Sequence, residues 1–197
     1  MKGRLGFLTR CSLYLVAALL LISTAADKAR CEEEEVGFTP IPVIQGMKLL
    51  PEGSLAPTFK VKDIEGNEFD FADRAQTRPH VIVFWSIFCE PCRDEMPVIE
   101  QIYGEFKEKN LGVLAVNLDG APFLEGIKGY IKQSGYTFTV LLDELDGEMF
   151  RISDPYQVAG TPVLYLIDGK GQVYSGHLGR ITAKDLRVLV AKMLVKG

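Results

Sequence analysis

Cysteine and histidine are scarce. The 197 residues hold four cysteines, of which only Cys89 and Cys92 form a closely spaced pair, and two histidines, where structural zinc sets take two such pairs or one pair with two histidines. The histidines, His80 and His177, are also far apart in sequence. Nor do the cysteines form a framework of several disulfides. Cys11 lies in an apolar stretch, Cys31 lies beside Glu32-Glu33-Glu34-Glu35, and only Cys89 and Cys92 lie in sequence that reads as folded. A chain of this size has enough apolar residues for a core and needs no such framework. Excess positive charge is also missing. The formal net charge is −4, which argues against a nucleic-acid binder. The uncharged stretch from Cys11 to Ala26 is shorter than the ~18 apolar residues of a spanning helix.

That N-terminal stretch has another pattern. Lys2, Arg4 and Arg10 precede an apolar run, Leu13 to Ile22, which is followed by Ser23-Thr24-Ala25-Ala26. Basic, apolar, small is the order of an export signal. Residues 1–26 are therefore expected to be a signal peptide, with an uncleaved signal anchor as the alternative. The mature protein is expected to be exported, either periplasmic or on the outer face of the cytoplasmic membrane. Membrane contact would come only through a retained N-terminal segment. Residues 27–54 read as an acidic, extended linker rich in Pro and Gly. The folded part is expected over 55–197.

Hydrophobic patterning orders that part. FKVKDIEGNEFDF alternates around a turn at Glu65-Gly66-Asn67 and predicts a hairpin with strands near 59–62 and 68–71. His80 to Ile87 and Leu111 to Leu118 are continuous runs that fit strands buried on both faces. Between them, residues 90–109 place Met96, Ile99, Ile102, Tyr103 and Phe106 at helical spacing. Strand, helix, strand predicts a parallel right-handed βαβ unit. A helix over Pro122–Ser134, a short strand over Phe138–Leu142 and a short helix around Gly147–Ile152 are expected next. A strand led in by Gly160-Thr161-Pro162 turns at Asp168–Gly171 into QVYSGHLG. Thr182 and Asp185 are expected to cap a closing amphipathic helix.

The cysteine pair sits at the junction of the first long strand and its helix. Three readings compete: a metal, a crosslink, or electron exchange. Zinc lacks partners. A crosslink across so short a loop has little entropic effect. Electron exchange fits the βαβ context best. The start of a helix carries partial positive charge and unpaired N–H groups. Both stabilise a thiolate, which is the nucleophile. Pro91 suits the first turn, where a missing N–H is harmless. Cys89 is thus expected to attack a target disulfide and Cys92, one turn in, to resolve the mixed disulfide.

Residues 55–197 resemble the thioredoxin superfamily, in its TlpA/ResA-like branch of extracytoplasmic thiol-disulfide oxidoreductases. The matching pieces are Ala56-Pro57-Thr58-Phe59 with the Ile64-Glu65-Gly66 turn, Phe84-Trp85, Cys89-Glu90-Pro91-Cys92, Glu95, Pro97, Gly160-Thr161-Pro162 and Leu166-Ile167-Asp168-Gly169. The resemblance implies an α/β thioredoxin fold. Its central mixed sheet would be flanked by helices, with an added N-terminal β-hairpin and an inserted strand-helix element. It implies a redox-active Cys89–Cys92 disulfide and no other cofactor or metal. It makes Pro162 a cis-proline facing the pair, and Thr161 the residue that offers its backbone to an extended substrate segment. Trp85, Glu90 and Pro91 would complete the substrate-binding surface. Glu95 matches a glutamate that influences thiol titration, and one helical turn from Cys92 it is placed to accept that thiol's proton. Thioredoxins proper have an aspartate two residues before the tryptophan, where this chain has Val83. Pro97 is expected to kink the redox helix. Phe88 before the first cysteine and Val163 after the cis-proline depart from the common pattern, and both are expected near the substrate groove.

The resemblance implies a selective reductase of exported protein disulfides. Apocytochrome c would be the leading substrate and a membrane thiol carrier the electron donor. A role at copper-site cysteines and a Cu(I)-binding carrier are the alternatives of metal type, with His177 as the candidate extra ligand. A peroxiredoxin-like peroxidase is the third, although the Pro-x-x-x-Thr-x-x-Cys context is absent before Cys89. His80, His177 and Cys31 have plain structural or incidental readings.

Overall fold

The computed structural model describes residues 47–75 and 77–196. The expected export signal, residues 27–46 of the linker, Cys11 and Cys31 lie outside the described residues. Among those described, no helix is long and apolar enough to cross a membrane.

Among the described residues, nine short strands and four α-helices follow one another. A hairpin of β1 (Lys60–Lys62) and β2 (Glu68–Asp70) comes first, then a one-turn helix α1 (Ala72–Ala75). Next come β3 (His80–Trp85), the long helix α2 (Glu90–Phe106), β4 (Gly112–Asn117), α3 (Leu124–Ser134) and β5 (Thr139–Leu142). A two-stranded hairpin β6 (Leu145–Asp146) and β7 (Met149–Phe150) leads to β8 (Val163–Ile167), β9 (Val173–Leu178) and α4 (Ala183–Lys196). The main sheet has the order β5-β4-β3-β8-β9. Strands β3, β4 and β5 are parallel, β8 runs antiparallel to β3, and β9 runs antiparallel to β8. This is the thioredoxin-like mixed sheet, with α3 and β5 adding an outer strand.

The two-sided burial expected of the long strands is observed. Every residue of β3, β4 and β8 is buried. Alternation then assigns each side chain to a face. Val81, Val83 and Trp85 join a core with Met96, Ile99 and Ile102 of α2, Ile127 of α3 and Leu186, Val190 and Met193 of α4. Ile82 and Phe84 join a second core with Phe59, Val61, Phe69 and Phe71 of the first hairpin, Tyr156 and Tyr165. Two right-handed crossovers in the same direction along a sheet put both helices on one face. The opposite face needs another cover, and the hairpin supplies it. Phe59 and Phe71 stack with ring centroids 4.8 Å apart.

Two expectations change. The segment Leu145–Phe150 is a hairpin, not a helix. Gly147 takes φ 68° in a two-residue turn, a geometry that favours glycine and pairs the flanking residues as strands. The carboxylate of buried Asp143 then accepts from the N–H groups of Ile152 and Ser153, each at 2.9 Å. Residues 47–51 have no regular secondary structure, Pro51–Ser54 form a turn closed by Ser54 N–H on the Pro51 carbonyl at 3.1 Å, and this end of the expected linker packs on the domain. Gly53 N–H donates to the Val173 carbonyl at 2.7 Å, and Leu50 N–H to the Tyr165 hydroxyl at 3.1 Å. Helix α2 runs through Pro97 without a break. The closing helix is capped by Thr182, whose Oγ1 accepts from Asp185 N–H at 3.1 Å and donates to the Asp185 carboxylate at 2.7 Å.

Candidate active site

Strand β3 ends at Trp85, and after three intervening residues the chain reaches Cys89. Cys89 is the N-cap of α2. Its Sγ accepts a hydrogen bond from Cys92 N–H at 3.2 Å. The two sulfurs are bonded at 2.05 Å, with Cα atoms 5.2 Å apart. The pair is asymmetric, because Cys89 is half-buried and Cys92 is only 1% exposed. An approaching thiol or disulfide can therefore meet Cys89 but not Cys92. Pro91 occupies the first turn and Glu90 is exposed beside it.

Glu95 follows one turn after Cys92 and is buried with it in the helix-side core. Its Oε1 accepts from Ile181 N–H at 2.9 Å, and its Oε2 has no partner among the described residues. Burial pushes its pKa up to about 7, against the pull of the Ile181 N–H and the Arg180 guanidinium. Arg180 also reaches Asp94 on α2 at 3.2 Å. A carboxyl group that titrates near neutral pH, one turn from a buried thiol, can take or return that thiol's proton. The aspartate place of thioredoxins proper is indeed empty of charge here, since Val83 is fully buried in the same core.

The peptide bond Thr161–Pro162 is cis. Thr161 lines a groove with Ser86, Leu118, Asp119, Phe150 and Asp154. Pro162 itself is buried, and its carbonyl accepts from Gly179 N–H at 2.9 Å. Two expected groove residues belong elsewhere. Trp85 is fully buried, with its ring 5.6 Å from that of Tyr130. It supports the site from the core and cannot touch a substrate, because its place in β3 points it at the helices. Val163 is buried for the same reason, on the hairpin face. The most exposed aromatic among the described residues is Phe88, 67% accessible, with Phe123 edge-on at 5.0 Å.

His80 and His177 stand apart from this chemistry. His80 is buried in β3 against Phe71 and the backbone of Gly112, where an added Cβ would meet the ring at 2.5 Å. A ring nitrogen of His177 lies 3.0 Å from the Arg180 carbonyl. Among the described residues, no group of three or more His, Cys, Asp or Glu is placed to hold a metal.

Residues 53–175 match the model of the AhpC/TSA family. Across 92% of the chain and 95% of the relative, the sequence is 30% identical to the thiol-disulfide oxidoreductase ResA of Bacillus thuringiensis. The chain belongs to the AhpC/TSA family. It is a thiol-disulfide oxidoreductase of the ResA type. A second relative, the thioredoxin-like protein YneN of Bacillus subtilis, is 32% identical over 70% of this chain and 77% of its own. Among solved structures, the thioredoxin domain of a thiol-disulfide oxidoreductase from Bacteroides vulgatus superposes with a TM-score of 0.64 at 26% identity. That match covers 74% of this chain and 99% of the other.

The sequence reading of this oxidoreductase missed one group. Asp119, just past β4, accepts hydrogen bonds from the Ser86 hydroxyl at 2.5 Å, Ile87 N–H at 2.8 Å and the Asn117 side-chain amide at 2.8 Å. Asn-Leu-Asp after a buried strand is an ordinary loop beginning in sequence. Only the parallel pairing of β3 with β4, which sets Trp85 beside Asn117, brings it under the redox loop.

Proposed function

We propose that this oxidoreductase works as a reductant outside the cytoplasm, selective for disulfides of exported proteins. The observation that carries the reading is the asymmetric pair with a buried carboxyl behind it. Cys89 as thiolate attacks a substrate S–S bond and forms a mixed disulfide, and the first substrate sulfur leaves as a thiol. Cys92 gives its proton to Glu95 and attacks Cys89 Sγ. The Cys89–Cys92 bond forms, and the second substrate sulfur leaves with a proton. Two electrons and two protons have then moved from the protein dithiol to the substrate. The cycle closes when a donor dithiol, by resemblance a membrane thiol carrier, reduces the pair again. The groove at Thr161 suits an extended segment that carries its cysteines in sequence. The CxxCH cysteines of an apocytochrome c are the substrate the resemblance favours.

The test has two parts. The first is the reduction potential of the Cys89–Cys92 couple, set against glutathione or dithiothreitol. A value at or below roughly −270 mV, where thioredoxin lies, is expected; one near roughly −120 mV, typical of the oxidant DsbA, would reverse the direction. The second is trapping with Cys92→Ser in the exporting cell, which should retain exported cysteine proteins as mixed disulfides. Recovery of none beyond a Cys89→Ser, Cys92→Ser control would remove the selectivity.

A further inference from the structure

In the loop Ser86–Phe88, the Ser86 hydroxyl and the N–H groups of Ile87 and Phe88 are all engaged in hydrogen bonds. The Asp119 carboxylate holds the Ser86 hydroxyl and the Ile87 N–H. The Ser86 oxygen in turn accepts from Phe88 N–H at 3.0 Å. Asp119 is itself fixed, since its N–H donates to the Asn117 side-chain oxygen at 2.9 Å and the Asn117 amide returns a bond to its carboxylate. Of the N–H groups around Cys89, the one at Cys92 is the one bonded to its Sγ.

We propose that Asp119 is the positioning residue of the redox loop, and that it keeps the Cys89 thiol weakly acidic by holding the loop donors away from the sulfur. A thiolate is stabilised by donors and positive charge and destabilised by negative charge. Asp119 acts in one direction on both counts. It engages the Ile87 N–H directly and the Phe88 N–H through Ser86, and it sets a carboxylate against Ile87, two residues before Cys89. A less stable thiolate means a less stable reduced form, hence a more reducing pair. The proposal rests on the exchange chemistry of the pair and not on the direction of flow in the cell.

Other charges surround the pair: Glu90, Arg93 and Asp94 on α2, Glu95 behind it, Arg180 after β9, and Asp154 across the groove. All of them remain when Asp119 alone is changed, so a comparison of variant with parent isolates its effect. The full chain carrying Cys11→Ser and Cys31→Ser serves as parent, so that the ultraviolet thiolate signal and the glutathione equilibrium report the pair.

In Asp119→Asn, the Cys89 titration should move to lower pH, and the glutathione equilibrium should shift at least five-fold toward the dithiol. Ser86→Ala, which frees Phe88 N–H and keeps the carboxylate, should shift both the same way by less. Asp146→Asn, a charge change at an exposed position outside the groove lining, should leave both within two-fold. Thermal unfolding confirms that each variant is folded, and if Asp119→Asn is not, Ser86→Ala carries the test. A purely structural Asp119 would lower stability and leave the titration and the equilibrium within two-fold. That result, a shift of opposite sign, or an equal shift in Asp146→Asn would overturn the proposal.

Discussion

Glu95 and His80 are buried titratable side chains whose pKa values burial shifts in opposite directions, and so they respond to pH in opposite directions. The folded pKa of Glu95 is raised to about 7 from 4.5. Its neutral form is favoured by folding, so that its stability contribution is complete below pH 4.5 and lost as pH rises through about 7. Its ionised form is the one that can accept the Cys92 proton. In Glu95→Gln, the exchange rate should lose its rise around pH 7, and the protein should be more stable than wild type at pH 8 but not at pH 4. Stopped-flow exchange and urea unfolding across pH check the two halves. An unchanged rate profile would end the proton-transfer role.

His80 is the reverse case. Burial first, and the nearby Arg78 guanidinium second, lower its pKa to about 4 from 6.5. Neither ring nitrogen has a hydrogen-bond partner among the described residues. The stability it permits is present above pH 6.5 and is lost as pH falls through about 4, with a ceiling of about 3 kcal/mol. In His80→Leu, the slope of unfolding free energy over that window should flatten. A slope that persists would place the acid sensitivity elsewhere.

At the scale of elements, caps and turns decide the ends of helices and strands. Thr182 bonds Asp185 N–H at the start of α4, and Thr182→Ala should cost about 1 kcal/mol of stability. An unchanged denaturation midpoint would show that the ion pair of Arg187 with Glu105, two contacts of 2.6 Å, holds α4 by itself. The hairpin β1–β2 is where local and tertiary roles meet. Its turn is legible in Glu65-Gly66-Asn67, with Gly66 at φ 88°. That it covers one face of the sheet is not, because pairing partners across a sheet leave no mark in a strand's own sequence. Phe71 is fully buried there, so Phe71→Ala should destabilise the whole domain by about 3–5 kcal/mol. A loss under about 1 kcal/mol, measured by denaturant unfolding, would mean the hairpin is an ornament on an independent core.

For the molecule as a whole, the two cores share the central strands. β3 lies between β4 and β8 and is buried on both faces. The β6–β7 hairpin is exposed at all four strand residues. Native-state hydrogen exchange should therefore be slowest at Val81–Phe84 and fast in Leu145–Phe150. Equal protection in the two regions would contradict this ordering. Reduction of Cys89–Cys92 should leave the slow set unchanged, since the bond closes a loop within one helical turn.

What the amino-acid sequence determined by itself is local or periodic. Continuous apolar runs required strands buried on both faces, helical spacing required α2 to bury Met96, Ile99 and Ile102, and two thiols at a strand-to-helix junction required an asymmetric pair. Each follows from residues a few positions apart. The tertiary structure decided what depends on residues distant in the chain. It turned Trp85 into the core, where a fixed alternation along β3 meets a helix-covered face. It brought Ile181 N–H, 86 residues on, to the Glu95 carboxylate. It also set Asp119 under the loop of Cys89, through the register of two parallel strands. Register and facing are properties of the assembled sheet, since a strand's sequence states only that it must be covered and not by what.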